Sequence, residues 1–339
     1  MPMVNAKSTS PPLLKHPDTR SISLEPEAKK GGYAAFYTTR LYEFFLGVER
    51  VCGHHALPLL TLPFAFFEFW RRRRDYANFR RIHTAMPSGF WKGHRPLHHY
   101  WRMIYNWRET LTLCTLYTRM SDANWQKRFT VKGTPPQDLP DWGKRPVILA
   151  FMHTGYFGFI RWFMRTQGVP TASLIGAMPV LVDNPDYNRY LELGDELNGV
   201  EGVPHYFRGA AGIREALRYL KPGRAMTMAL DGGAVSPHEQ WSKAGDLPID
   251  IKRGTCRVGA QVGAIVVPTS VRRKGYCRYE VHFGKPVPDQ LLEDGDYAAA
   301  TQHVVSELWP DLEAHPMDLN WTSMEAFHPE LAAPRIEWP

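Results

Sequence analysis

Residues 147–158 read Val-Ile-Leu-Ala-Phe-Met-His-Thr-Gly-Tyr-Phe-Gly, and the hydrophobic period changes in the middle of them. Val147 to Met152 is an unbroken apolar run of strand length, directly after the breaker Lys144-Arg145-Pro146. Beyond Gly155 the apolar residues fall at Phe157, Ile160, Phe163 and Met164, a helical spacing. The segment is therefore strand, tight turn, helix, with His153 at the carboxyl end of the strand. In open α/β sheets ligands bind at that end. A histidine there suits general-base chemistry, because its ordinary pKa lies near neutrality. A hydrogen-bonded structural histidine is the plainer alternative.

The same rhythm continues down the chain. Gly168–Ile175 reads as a strand, Asp183-Asn-Pro185 as a turn and Tyr187–Leu197 as a helix. Gly212–Leu220 is a short amphipathic helix stopped by Lys221-Pro-Gly223. Ala225–Leu230 is a strand that delivers Asp231-Gly-Gly to a turn. Gly254–Val262 is a helix of small residues, in which Cys256 and Gly259 permit close approach. Ala264–Pro268 reads as a buried strand, Tyr276–Phe283 as an outer strand and Asp296–Leu308 as a final amphipathic helix. Strand–helix alternation of this kind predicts an α/β domain over 141–325, with a mostly parallel central sheet flanked by helices.

The first half of the chain has a different character. Residues 1–32 are rich in Ser, Pro, Lys and Gly, and read as a flexible or loosely docked tail with no secretory apolar core. Residues 33–130 read as a helical, basic, membrane-facing region with a loop at Met86–His94, and a second loop at Thr134–Pro140 marks the entry to the sheet domain. Residues 1–110 hold 17 Lys+Arg against 8 Asp+Glu, a net of +9, while the remainder holds 24 against 26, a net of −2. The positive charge is thus N-terminal and calls for an anionic partner there.

Ala56–Trp70 is the most hydrophobic stretch, but two prolines and Glu68 interrupt its 15 residues. A spanning helix needs roughly 20 apolar residues, so a transmembrane reading is rejected. Phe64, Phe66, Phe67 and Trp70 followed by Arg71, Arg72, Arg73 and Arg74 suit an interfacial anchor on anionic lipid. Four adjacent arginines repel one another, and an anionic surface would relieve that. The alternative is a buried helix with a solvated arginine end. Charge alone would also suit a nucleic-acid binder, but apolar aromatics beside the arginines favour a membrane, and no nucleic-acid partner is expected. The four cysteines are far apart, with no CxxC, so neither disulfides nor zinc are expected. His54-His55 and His98-His99 are adjacent pairs, which on a helix point to different sides. No metal site is expected, and no nucleotide cofactor, since GxGxxG and Walker patterns are absent.

Several of these features occur in a familiar order: a strand ending on His153, then Asn184-Pro185, Leu220–Asp231, Lys252–Pro268, Arg272-Arg273 and the tail Leu312–Trp321. From about Tyr42 to Trp321 the chain resembles the lysophospholipid acyltransferase superfamily, most of all its late lipid A branch, the lauroyl and myristoyl transferases. The resemblance implies an enzyme that moves an acyl group from an acyl carrier protein or coenzyme A thioester to a hydroxyl or amine of a lipid or specialised metabolite. His153 would be the general base, and the enzyme would need no cofactor beyond that donor. It further implies a cytoplasmic protein, peripheral on the inner face of the cell membrane. That family follows its histidine with an acid five residues later; here that position is Gly158.

Three readings of this departure stand open. Asp231 supplies the carboxylate from elsewhere, the acceptor needs less help, or the protein is a degenerate member that binds lipid or acyl chains without turnover. A second departure is Leu174–Pro179, which lacks the arginine of a Tyr-Arg-Pro-like element and argues against a phosphorylated disaccharide acceptor. Arg189 and Arg253 are candidate substitutes. Gly254 and Thr255 open a helix whose amides can hold an oxyanion, as can amides near Gly155. Tyr156 is a candidate hydrogen-bond donor in the cleft.

Overall fold

The structure, a computed structural model, describes residues 39–114, 127–175, 206–231 and 241–328. The expected tail over 1–32, the turn at Asn184-Pro185, the helix at 187–197 and Arg189 lie outside the described residues.

The central element is strand β2 (Val147–Phe151), buried along its whole length. Its side chains alternate between two cores, as the two-residue period of a strand requires. Ile148 and Ala150 enter one cluster with Met226, Met228 and Val266. Val147, Leu149 and Phe151 enter the other with Ala225, Ile265 and Val267. An apolar run without polar alternation is what a strand covered on both faces demands.

Around β2 lie β1 (Phe129–Lys132), β3 (Thr171–Ile175), β4 (Tyr206–Arg208), β5 (Ala225–Ala229), β8 (Ile265–Gly275) and β9 (Arg278–Phe283). Their order is β1-β9-β8-β2-β5-β3-β4. All neighbours run parallel except the β8–β9 hairpin, so the fold is the mostly parallel α/β sheet expected. Helix α5 (Phe159–Thr166) packs on one face, while α7 (Gly254–Val262), α8 (Asp289–Glu293) and α9 (Tyr297–Ala314) contribute to the core on the other. The short helix α6 (Gly209–Tyr219) precedes β5. A Cβ on Gly259 would lie 2.5 Å from Val266 Cγ2, which is how α7 sits so close to β8.

Several elements differ from the sequence reading. Strand β8 runs on past Pro268 to Gly275; Pro268 is its last residue paired with β2, and beyond it β8 pairs with β9. Helix α9 continues past Leu308 through Pro310. The hairpin of β6 (Trp241–Ala244) and β7 (Leu247–Asp250), four residues per strand, has too short a pattern to stand out. So has β1, which joins the sheet edge beside β9. A last helix, α10 (Trp321–Phe327), is capped by Asn320.

The N-terminal helices α1 (Thr39–Cys52), α2 (Leu57–Arg71), α3 (Tyr76–Ala85) and α4 (Pro96–Cys114) pack onto this body, chiefly through α4. His99 Nε2 lies 2.8 Å from the Leu319 carbonyl, Arg102 pairs with Asp318 at 2.8 Å, and Arg273 pairs with Glu109 at 3.2 Å. Burial depresses His99 to about 3 and His83 to about 4, so both rings are neutral and pack as apolar discs against Phe79 and Trp91.

Glu68, the one acid inside the apolar helix α2, is buried. It accepts from Arg71 Nη2 at 2.8 Å, from Arg108 Nη2 of α4 at 2.7 Å, and from Arg72 Nε. This corrects the argument from mutual repulsion: the protein's own carboxylate already neutralises part of the arginine cluster. Burial pushes the Glu68 carboxyl up, but the three guanidinium groups outweigh it and hold the group near 2, against an ordinary 4.5. A depressed carboxyl contributes stability that is complete above its unfolded pKa and is lost as pH falls through the folded one. Glu68 should therefore contribute about 3 kcal/mol above pH 4.5, fading towards pH 2. Denaturant unfolding of Glu68→Gln should show that loss at pH 7, with the gap to wild type closing between pH 4.5 and 2. A gap that does not change with pH would refute the ionic account.

Candidate active site

The register of two neighbouring strands builds the site. Phe151 of β2 pairs with Ala229 of β5, and Leu230 N continues the ladder to the Phe151 carbonyl at 2.9 Å. Two residues beyond each end come His153 and Asp231, so a parallel register delivers them side by side on one face. Asp231 Oδ1 lies 2.8 Å from His153 Nδ1. The same carboxylate accepts the His153 backbone amide, at 2.9 Å to Oδ2 and 3.1 Å to Oδ1.

The Asp231 side chain is wholly buried, whereas that of His153 is 19% exposed. Burial alone would raise the Asp231 carboxyl; the charge and hydrogen bonds of His153, with the Ser323 hydroxyl, hold it below the ordinary carboxylate value. It is therefore an anion at neutral pH. An anion at Nδ1 requires the proton there, which leaves Nε2 of the neutral ring as a lone-pair acceptor. Nε2 has no hydrogen-bond partner among the described residues.

The surroundings fix the ring. Phe157 meets it edge-on at 4.7 Å and stacks on both Phe151 and Trp107 of α4. The His153 carbonyl accepts the Asn320 amide at 3.1 Å, tying it to the start of α10. Gly155 turns the chain with φ +50°, and a Cβ there would lie 2.6 Å from the Val271 carbonyl, so the turn needs glycine at this position.

No protein-family model matches the chain, and no curated protein does. Among solved structures the chain is similar to the 1-acyl-sn-glycerophosphate (LPA) acyltransferase PlsC from Thermotoga maritima. The two are 12% identical, with a TM-score of 0.38, over 83% of this chain and 98% of that one.

The structure brings together some of the expected site residues and separates others. Asp231 reaches His153, as the first of the three readings requires. Gly158 is the N-cap residue of α5 and faces α4: a Cβ there would lie 2.9 Å from Thr110 Cγ2. Tyr156 is not in the cleft; it is fully buried, and its hydroxyl meets Asn106 at 3.1 Å and Glu109. The amides near Gly155 are also taken: Thr154 N goes to the Met152 carbonyl at 2.7 Å, Gly155 N to Asp318 at 2.6 Å, and Tyr156 N to Val271 at 3.0 Å. They are not oxyanion donors.

Gly254 and Thr255 begin α7 beside the end of β5, where Lys252 N bonds the Leu230 carbonyl at 3.0 Å and Thr255 Oγ1 lies 3.5 Å from that of Ala229. Among the described residues, nothing outside its own helix and chain neighbours would lie within 4 Å of a Cβ on Gly254. Arg253 is the half-buried N-cap residue of the same helix. Sequence reasoning missed Asn320 and Ser323, because their roles depend on α10 folding back onto His153.

The proposed membrane residues also divide. Phe66, Phe67 and Trp70 are exposed, as are Leu59 and Leu62 of α2 and Phe44 and Val51 of α1. Phe64 is a correction: it packs inward on Phe45, ring centroids 5.5 Å apart. Arg71 and Arg72 are half-buried on Glu68, Arg73 lies over the Trp70 ring at 4.6 Å, and Arg74 is exposed. No helix among the described residues is long and apolar enough to cross a membrane.

If position 158 belongs to the α4 contact, placing an acid there should harm the fold without serving His153. Gly158→Asp is expected to cost about 1–3 kcal/mol, the usual penalty of overpacking. Trimming Thr110 to Ala in the same chain should recover part of it, giving a favourable coupling energy in a double-mutant cycle. A neutral or stabilising Gly158→Asp would contradict the packing account.

Proposed function

We propose that this protein is an acyltransferase that moves an acyl group from a thioester to a hydroxyl or amine, with His153 as general base and Asp231 as its orienting carboxylate. One observation carries the reading: a partly exposed imidazole whose Nδ1 is held on a buried anion. That arrangement leaves the lone pair of the neutral ring on Nε2, the form needed to take a proton from a nucleophile.

In the proposed step, Nε2 removes the proton from the acceptor O–H or N–H as that atom attacks the thioester carbonyl. The tetrahedral intermediate carries its negative charge on the former carbonyl oxygen. The helix-start amides at Gly254 and Thr255 remain the candidates to hold that oxygen, since the amides near Gly155 already have acceptors. Collapse breaks the C–S bond, and the imidazolium returns its proton to the departing thiolate. Asp231 stays ionised throughout and stabilises the imidazolium. The donor is an acyl carrier protein or coenzyme A thioester, and the acceptor a lipid or specialised metabolite.

The exposed apolar residues of α1 and α2, with exposed Arg73 and Arg74 directly after α2, support peripheral docking on an anionic membrane surface, at the inner face of the cell membrane.

Two measurements test this. Thiol release from acyl-CoA and acyl-carrier-protein thioesters, with a lipid extract as acceptor, should fall by about 10²–10⁴-fold in both His153→Ala and Asp231→Asn. Full activity in His153→Ala would end the proposal. Thioester binding without any turnover by wild type would instead favour a non-catalytic acyl-binding protein. Separately, Leu59→Glu/Phe66→Glu should lose sedimentation with vesicles containing anionic phosphatidylglycerol while keeping wild-type unfolding behaviour; retained binding would remove the docking face.

A further inference from the structure

The buried face of the His153–Asp231 pair is closed by α10, and one residue of that helix touches both partners. Ser323 is fully buried. Its hydroxyl reaches Asp231 Oδ2 and lies 2.8 Å from the His153 carbonyl. A serine has a single O–H proton. The His153 carbonyl already accepts the Asn320 amide, while the buried carboxylate carries a full negative charge. The charge-assisted bond is the stronger of the two, so the proton belongs to Asp231.

The position of this hydroxyl is also fixed from the other side. Ser323 stands three residues after the cap Asn320, whose side chain accepts the Ser323 amide at 3.1 Å. Asn320 N in turn bonds the His153 carbonyl. The cap therefore sets α10 against the histidine backbone and aims the Ser323 side chain at the carboxylate. Oδ1 is left for the imidazole and Oδ2 for the hydroxyl, with the His153 amide shared between them.

Resting on the acyltransferase reading above, we propose that Ser323 is a positioning residue of this site. Its hydroxyl holds Asp231 ionised and in register, so that Oδ1 stays on His153 Nδ1. The bonds of the Ser323 hydroxyl go to Asp231 Oδ2 and the His153 carbonyl, not to the imidazole, so it acts through Asp231.

The test reads the Asp231–His153 bond directly, with no need to know the substrate. An imidazole N–H donating to a buried carboxylate gives a low-field proton NMR signal, assigned here by its absence in His153→Ala. On acidification that signal disappears as Asp231 takes up a proton. Losing a donor to the anion raises the carboxyl pKa, so Ser323→Ala should lose the signal at a pH about one unit higher than wild type. Ser323→Thr, which keeps the hydroxyl, should return the midpoint towards wild type. The same midpoint in Ser323→Ala and wild type would overturn the assignment and leave Ser323 as packing only. Wild-type protein with no such signal would overturn the His153–Asp231 pair itself, an outcome distinct from failure of Ser323 alone.

Discussion

A carboxylate buried without solvent access is tolerable only when every lone pair is answered. Asp231 meets that condition through the imidazole of His153, the backbone amide of His153 and the hydroxyl of Ser323. Each donor comes from an element held by something else. The histidine sits at the end of a strand locked between β5 and β8, and the serine on a helix whose cap grips the histidine's own carbonyl. Moving any one of these would strand a buried charge, so the anion organises its surroundings as much as they organise it.

A second buried carboxylate plays the same part for the helical region. Glu68 collects arginines from two helices and thereby fixes α2 against α4, and α4 in turn reaches the sheet through His99, Arg102 and Glu109. With Glu68 turned inward, α2 presents Leu59, Leu62, Phe66 and Trp70 to the outside. The most hydrophobic of the described helices is thus held by a charge on one side and exposed on the other.

Much of the fold was legible because it is written in local period. The run at Val147–Met152, the small-residue helix at Gly254–Val262 and the strand delivering Asp231 all lie where spacing and breakers put them. The pieces that escaped are those whose stability is tertiary. Strand β1 alternates for only four residues, and the β6–β7 hairpin is equally short. The extension of β8 beyond Pro268 depends on pairing with β9. At the site, His153 and Asp231 could be named from their strand ends, but their contact is a matter of register between strands separated by more than seventy residues. Tyr156 misled because an aromatic hydroxyl next to a candidate base looks chemical in one dimension, while the Gly155 turn sends it into the core beside Glu109. Gly158 looked like a loss; in three dimensions it is where α4 comes too close for a side chain.

The central claim is that Asp231 sets the tautomer of His153. Nitrogen-15 NMR of the imidazole, with the His153 resonances assigned by substitution, reads this directly once the ring is neutral. The account predicts a ring protonated at Nδ1, with Nε2 carrying the lone pair. A neutral ring protonated at Nε2 would contradict it, since that ring has no proton for Asp231 and no lone pair for a nucleophile.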